Sequence, residues 1–225
     1  MNRKITDLRI PAGAAVSAAL LACAAPVATL GLSLLGPAAP AAAQAATDLD
    51  RAVEALRGIA TMQADFLQTD RSGHAISGKL TIKRPGKIRF EYQKGVPMLI
   101  VGDGHALTLV DYEVRQVQRW PIGNSPLGAL LDPRRDVKKF GTLQPAGDPN
   151  IVSIEVRDRT HPEYGVITLI FQRKASAAGG LELVGWVALD SQNQRTTIRL
   201  ANQRYGADIP DSVFRFTDPR PTGRR

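Results

Sequence analysis

Residues 80–92 read LTIKRPGKIRFEY, and hydrophobic and polar positions alternate on both sides of a Pro-Gly turn. Leu80 and Ile82 share one face of the first arm, with Lys79, Thr81 and Lys83 on the other. After the turn Ile88, Phe90 and Tyr92 oppose Lys87, Arg89 and Glu91. The pattern predicts a hairpin with one apolar face, and Arg84 falls by parity on that face. Two readings of Arg84 stand side by side. It ends its strand and reaches past Pro85 to water, its stem covering apolar surface. Or it lies at the rim of an apolar cavity, where a guanidinium needs acceptors such as the end carbonyls of a covering helix.

The same period of two recurs along the chain. It predicts strands over 62–71 (with Met62, Ala64 and Phe66 on one face), 75–84, 87–93, 98–101, 106–111 and 113–119. At Pro121 the alternation stops. Ser125 can cap a short helix with Pro126 at its first position, carrying Leu127, Leu130 and Leu131. A second short helix is expected over 133–140, then a Gly/Pro-rich loop to 150. Strands resume over 151–157, 166–173, 181–190 and 196–205, and a helical turn is expected at 211–214. Ahead of all these, Leu49, Val53, Leu56 and Ala60 make one apolar face of a helix capped by Thr47 or Asp48. A flat sheet of this size would expose a whole face. The expected fold is therefore mainly β with some α: an incomplete, curved antiparallel β-barrel of about ten or eleven strands, with short helices forming a lid over an apolar cavity.

The first 45 residues change the picture. Arg3, Lys4 and Arg9 precede a long apolar run, and small residues follow it at A-x-A spacing. This reads as a signal peptide cut after Ala43 or Ala45, leaving a single domain over 46–225. An uncleaved membrane anchor is the other reading. Cys23 follows Leu-Leu-Ala, as in a lipid-modified bacterial protein, although the chain stays apolar beyond it. A chain cut at either site has no cysteine, hence no disulfide or thiol chemistry. Loss of the leader takes the net charge from +8 to +6. A basic exported surface suits anionic membranes or acidic partners. Nucleic acid is not expected, since no basic run is interleaved with stacking aromatics.

Enzyme chemistry finds little support. His74, His105 and His161 sit in turn-like contexts, and no metal, nucleophile or phosphate-cradling motif appears. GDGH at 102–105 is better read as a hairpin turn. No cofactor is expected. Apolar positions, in contrast, are in surplus: Phe66, Leu80, Ile82, Ile88, Phe90, Tyr92, Leu107 and Leu109 on strands, and Leu127, Leu130 and Leu131 over them.

Several of these segments together carry a resemblance. Phe66-Leu67-Gln68, Lys83-Arg84-Pro85, Phe90 with Tyr92, and Asp103-Gly104-His105-Ala106-Leu107 follow in the order and spacing of the LolA family of periplasmic lipoprotein carriers. The chain resembles that family over most of 46–225, most sharply from Asp65 to Leu131. The strand after Asp103-Gly104 departs from it, carrying Leu107 and Leu109 where aromatics are frequent.

The resemblance implies a periplasmic, non-enzymatic, monomeric carrier chaperone. Acyl chains of lipoproteins would lie in the cavity of Phe66, Leu80, Ile82, Ile88, Phe90, Tyr92, Leu107 and Leu109, under a lid of Leu127, Leu130 and Leu131. Arg84 would latch the lid. An inner-membrane ABC-type release complex would supply cargo, and an outer-membrane receptor lipoprotein, LolB or its equivalent, would accept it. Lys83, Lys87 and Arg89 would help dock a partner. The alternatives are a lipid-anchored receptor or envelope-stress regulator of the same fold, or a carrier of another lipid.

Overall fold

The structure, a computed structural model, describes residues 40–122, 128, 131–132 and 137–221, with side chains from Asp48 onward. Most of the leader, Cys23 included, lies outside these residues, as do Ser125, Pro126, Leu127 and Leu130.

Helix α1 spans Pro40–Gly58. It begins well before the expected caps at Thr47 and Asp48, because the stretch PAAAQAA is rich in alanine, the strongest helix former. Asp48 is thus an interior residue, and its carboxylate is used elsewhere. Ala52, Val53, Ala55 and Leu56 form the buried face, and Ile59 extends it past the helix end.

Eleven antiparallel strands follow: β1 (Thr61–Thr69), β2 (Ala75–Lys83), β3 (Lys87–Tyr92), β4 (Met98–Asp103), β5 (Ala106–Asp111), β6 (Gln116–Pro121), β7 (Gly141–Gln144), β8 (Ile151–Arg157), β9 (Val166–Arg173), β10 (Leu181–Leu189) and β11 (Arg195–Tyr205). A short helix α2, Val137–Phe140, precedes β7, where a longer helix over 133–140 was expected. The strands form one sheet in the order β6-β5-β4-β3-β2-β1-β11-β10-β9-β8-β7. Strand β1 is central, pairing with β2 and with β11. β6 and β7 are the two edges, so the barrel is incomplete, as expected.

Two elements differ from the sequence reading. The loop expected after 140 contains β7, four residues too short to show a period, which pairs with β8 from Gly141↔Val156 to Gln144↔Ser153. β6 begins at Gln116 rather than 113. The Asp111 carboxylate accepts from the backbone N–H groups of Glu113 and Val114, and Arg115 adopts φ 55°, so these residues make the turn.

The sheet buries both faces unequally. The inner face, on which α1 packs, carries the main core, including Met62, Phe66, Leu80, Ile82, Ile88, Ile154, Leu169, Phe171 and Trp186. The outer face carries a small second core of Leu99, Val101 and Val110, covered by Ile209 and Phe214 of the C-terminal segment. That segment includes the helical turn expected at 211–214, a 3-10 turn over Asp211–Phe214.

Candidate functional site

The β2–β3 hairpin places its residues as the alternation predicts. Leu80 pairs with Phe90, Ile82 with Ile88, and Gly78 with Tyr92. On the next strand Phe90 faces Ile100, which pairs with Leu109, while Leu107 pairs with Gly102. Phe66, Leu80, Ile82, Ile88, Phe90 and Tyr92 all lie in the inner core, 8 % exposed or less. Leu107 is half-buried against that core. Leu109 is half-buried and stands outside it.

Aromatic rings meet edge to face at the centre. Phe66 lies 5.2 Å from Phe90 and 5.3 Å from Tyr92, and Phe90 lies 6.1 Å from Trp186, measured between centroids. Gly78 makes the room: a Cβ there would stand 2.6 Å from Phe66 Cε1 and 2.2 Å from the Glu91 carbonyl oxygen. The Tyr92 hydroxyl donates to Gln68 Oε1 at 2.8 Å. Burial pushes its pKa up to about 12, with the Gln68 hydrogen bond opposing. The glutamine of Phe66-Leu67-Gln68 therefore satisfies the one polar atom of the ring cluster.

Arg84 follows β2 in the turn, with a cis bond to Pro85. Its backbone N–H donates to the Ala60 carbonyl at 2.9 Å. The residue as a whole is half-buried, but Nε, Nη1 and Nη2 are all enclosed and make no hydrogen bond. The guanidinium thus does not reach for water. Burial lowers its pKa to about 10, and the Asp132 carboxylate opposes that shift. It is charged at neutral pH.

Two glycine turns meet beside it. A Cβ on Gly86 would stand 2.4 Å from Gly104 Cα, and both residues have positive φ, 78° and 96°. In the second turn Asp103 Oδ1 accepts from the N–H groups of His105 and Ala106, both at 2.8 Å, which is the hairpin turn expected of GDGH. Each turn holds one end of the chain that runs between β6 and Asp132. Ile122 N–H donates to the His105 carbonyl at 3.1 Å, and Gly86 N–H donates to the Leu131 carbonyl at 2.9 Å. Ile122 and Leu131 are both buried in the inner core. Of the three leucines expected to cover the cavity, Leu131 is the one inside the described residues. No described carbonyl bonds the Arg84 fork.

The outer face of the hairpin is engaged within the chain. Lys83 Nζ and Lys87 Nζ flank the Asp211 carboxylate at 2.8 and 2.6 Å. Lys83 also donates to the Ile209 carbonyl, and Arg89 Nη1 to those of Val213 and Arg215. The Asp211 carboxyl is held at about 2, first by its bond to Lys83 and then by Lys87. Lys79 pairs with Asp65 instead.

Helix α1 is bolted at the far side. Both guanidinium arms of Arg173 reach Asp48, at 3.0 and 2.7 Å, and its Nε donates to the Pro149 carbonyl. The three histidines are exposed in turns, and among the described residues no cluster of His, Cys, Asp and Glu could hold a metal ion. No described helix is long and apolar enough to cross a membrane.

Sequence reasoning missed Trp186 and Asp132. The alternation in LELVGWVAL hides Trp186, because a bulge between Leu183 and Gly185 shifts the parity and brings it inward. Asp132 lies two residues from the expected latch contacts but carried no pattern of its own.

The family model for the outer membrane lipoprotein carrier protein LolA matches residues 57–217. An outer-membrane lipoprotein carrier protein of Chromobacterium violaceum is 33% identical over 87% of this chain and 94% of its own length. That of Dechloromonas aromatica is 32% identical over 76% and 84%. Among solved structures, a LolA superfamily protein from Nitrosomonas europaea is 12% identical and aligns over 76% of this chain and 97% of its own, with a TM-score of 0.44.

Proposed function

Because the chain belongs to the LolA family of outer membrane lipoprotein carrier proteins, we propose that it is a periplasmic carrier that encloses lipoprotein acyl chains against the inner face of its open sheet. It takes cargo released from the inner membrane by an ABC-type complex and delivers it to an outer-membrane receptor lipoprotein. It performs no chemistry on the cargo.

One observation carries the reading. The inner face is apolar from Leu107 on β5 to Leu143 on β7, and its described cover is one helix with short segments rather than a second sheet. A single helix and short segments can be displaced without breaking the sheet ladder. Each buried acyl methylene contributes about 0.8 kcal/mol, so a rigid pocket would hold several chains almost irreversibly. A cover that must be displaced offsets part of this affinity, and a receptor then needs only a modest advantage. Arg84, charged and enclosed beneath Leu131, is the residue whose surroundings change most when that cover moves.

The test is a two-step transfer assay with purified protein, lipoprotein-loaded inner membrane vesicles and outer-membrane receptor. Wild type should solubilise lipoprotein and hand it on. Arg84→Leu should load it and fail to hand it on. Inability of the wild type to hold any lipoprotein would overturn the carrier reading, and release by Arg84→Leu at the wild-type rate would remove Arg84 from it.

A further inference from the structure

A guanidinium enclosed without a hydrogen bond is costly, and protein interiors do not leave such a charge without an offset. Around Arg84 one acidic group acts in its favour, the carboxylate of Asp132. The backbone puts it there. The Leu131 carbonyl accepts from Gly86, two residues past Arg84. Asp132 N–H donates to the Gly128 carbonyl at 2.8 Å, closing a helical turn. The Leu131 side chain, 1 % exposed, anchors that turn in the inner core. Asp132 itself is half-buried.

We propose that Asp132 is the positioning residue for Arg84: its carboxylate supplies the counter-charge under which the enclosed guanidinium is held at the rim of the inner face. The purpose of the pair rests on the carrier reading above, but its physics does not. Withdrawing the Leu131–Asp132 turn from Gly86 breaks one backbone hydrogen bond and also strips Arg84 of its counter-charge. The two losses are coupled because both residues ride on one turn.

The pair also differs in kind from a hydrogen-bonded latch. A hydrogen bond acts only within about 3 Å and at a suitable angle. A charge pair in a poorly polarisable surrounding falls off as the inverse of distance and has no angular requirement. Asp132 would therefore draw the turn back before any contact is remade.

The test is a double-mutant cycle on cargo-free protein, read as the rate at which bis-ANS enters the inner face. Asp132→Asn keeps the shape and removes the charge. It should speed probe entry about tenfold when Arg84 is present, the size of an interaction worth one pKa unit. In an Arg84→Met background it should change the rate by less than about twofold. Asp132→Glu, which keeps the charge, should behave as wild type. Equal acceleration in both backgrounds would overturn the proposal, and so would an Asp132→Glu variant as fast as Asp132→Asn. Should Asp132→Asn lose the native circular dichroism spectrum, Asp132→Glu against Asp132→Gln supplies the same comparison. Lipoprotein transfer is measured in parallel. A null cycle with intact transfer removes the pair and spares the carrier reading, whereas a coupled cycle without transfer does the reverse.

Discussion

Arg84→Met replaces an enclosed, unbonded charge with an apolar chain of similar length, and it should make the protein more stable. The magnitude follows from the pKa. Enclosure lowers it from 12.5 to about 10, net of the help from Asp132. Each unit is about 1.4 kcal/mol, so the charged form costs the folded state about 3 kcal/mol. The sign is that of a base with a depressed pKa: the unfolded chain binds the proton more tightly. The cost is therefore present in full below about pH 10 and disappears as pH rises towards the unfolded value. At pH 7 Arg84→Met should recover a good part of it, about 2 kcal/mol, since apolar replacement of buried ions gains 1–4 kcal/mol. With a urea slope of about 2 kcal/mol/M, the unfolding midpoint should rise by about 1 M. Buried Trp186, 4 % exposed, supplies the fluorescence signal. An unchanged or lower midpoint would refute the reasoning, because it would mean that Arg84 has partners whose loss costs as much as its burial.

Three further outcomes can be checked. Gly78→Ala drives a methyl into the Phe66 ring and the Glu91 carbonyl; it should lose about 1–3 kcal/mol of stability in urea unfolding and disturb the near-UV signal of the aromatic cluster. Asp48→Asn breaks the two-armed bond to Arg173; it should cost about 1–2 kcal/mol and raise hydrogen exchange in α1 before it does so in β1. The Asp211 carboxyl, depressed to about 2 by Lys83 and Lys87, adds stability that is present above its ordinary value of 3.8 and is lost as pH falls towards 2; carboxypeptidase-independent hydrogen exchange over residues 207–217 should quicken across that window, and Asp211→Asn should show the quickened rate already at pH 7.

How far the sequence disclosed this molecule depended on what each residue pairs with. β5, β8 and β9 stand where the alternation puts them, because each keeps one face in the inner core along its whole length. β7 was invisible because four residues hold no period, and its strand character comes wholly from β8. The start of α1 was misplaced because capping chemistry at Asp48 was read locally. The side chain is committed to Arg173, 125 residues away. Arg84 was legible as an anomaly of parity, since a charge on an apolar face stands out in any register. Its counter-charge was not, since Asp132 reaches it through a turn fixed by a bond from Gly86 to Leu131. Lys83, Lys87 and Arg89 read as a free basic edge because their acceptors, Asp211 and the carbonyls after it, lie more than 120 residues on.

The tip of the β2–β3 hairpin is thus held from both sides. On the outer face two lysines grip one carboxylate, Arg89 takes two carbonyls, and Phe214 is buried against the sheet. On the inner face the turn meets Gly104 without a side chain between them and bonds Leu131. An element fixed on both faces is a poor candidate for motion, and α1 is fixed as well through Asp48 and Arg173. What is held least is the Leu131–Asp132 turn, which bonds the hairpin through a single backbone hydrogen bond and one uncontacted charge. If cargo entry displaces any part of the inner face's cover, the displacement should therefore fall there. The hairpin would then act as the stationary side of the opening, and its charged outer face would serve first to keep it stationary. A partner that docks on Lys83, Lys87 and Arg89 would have to compete with the C-terminal segment for the same donors, and by loosening the hairpin it would weaken the seat of Leu131 from behind.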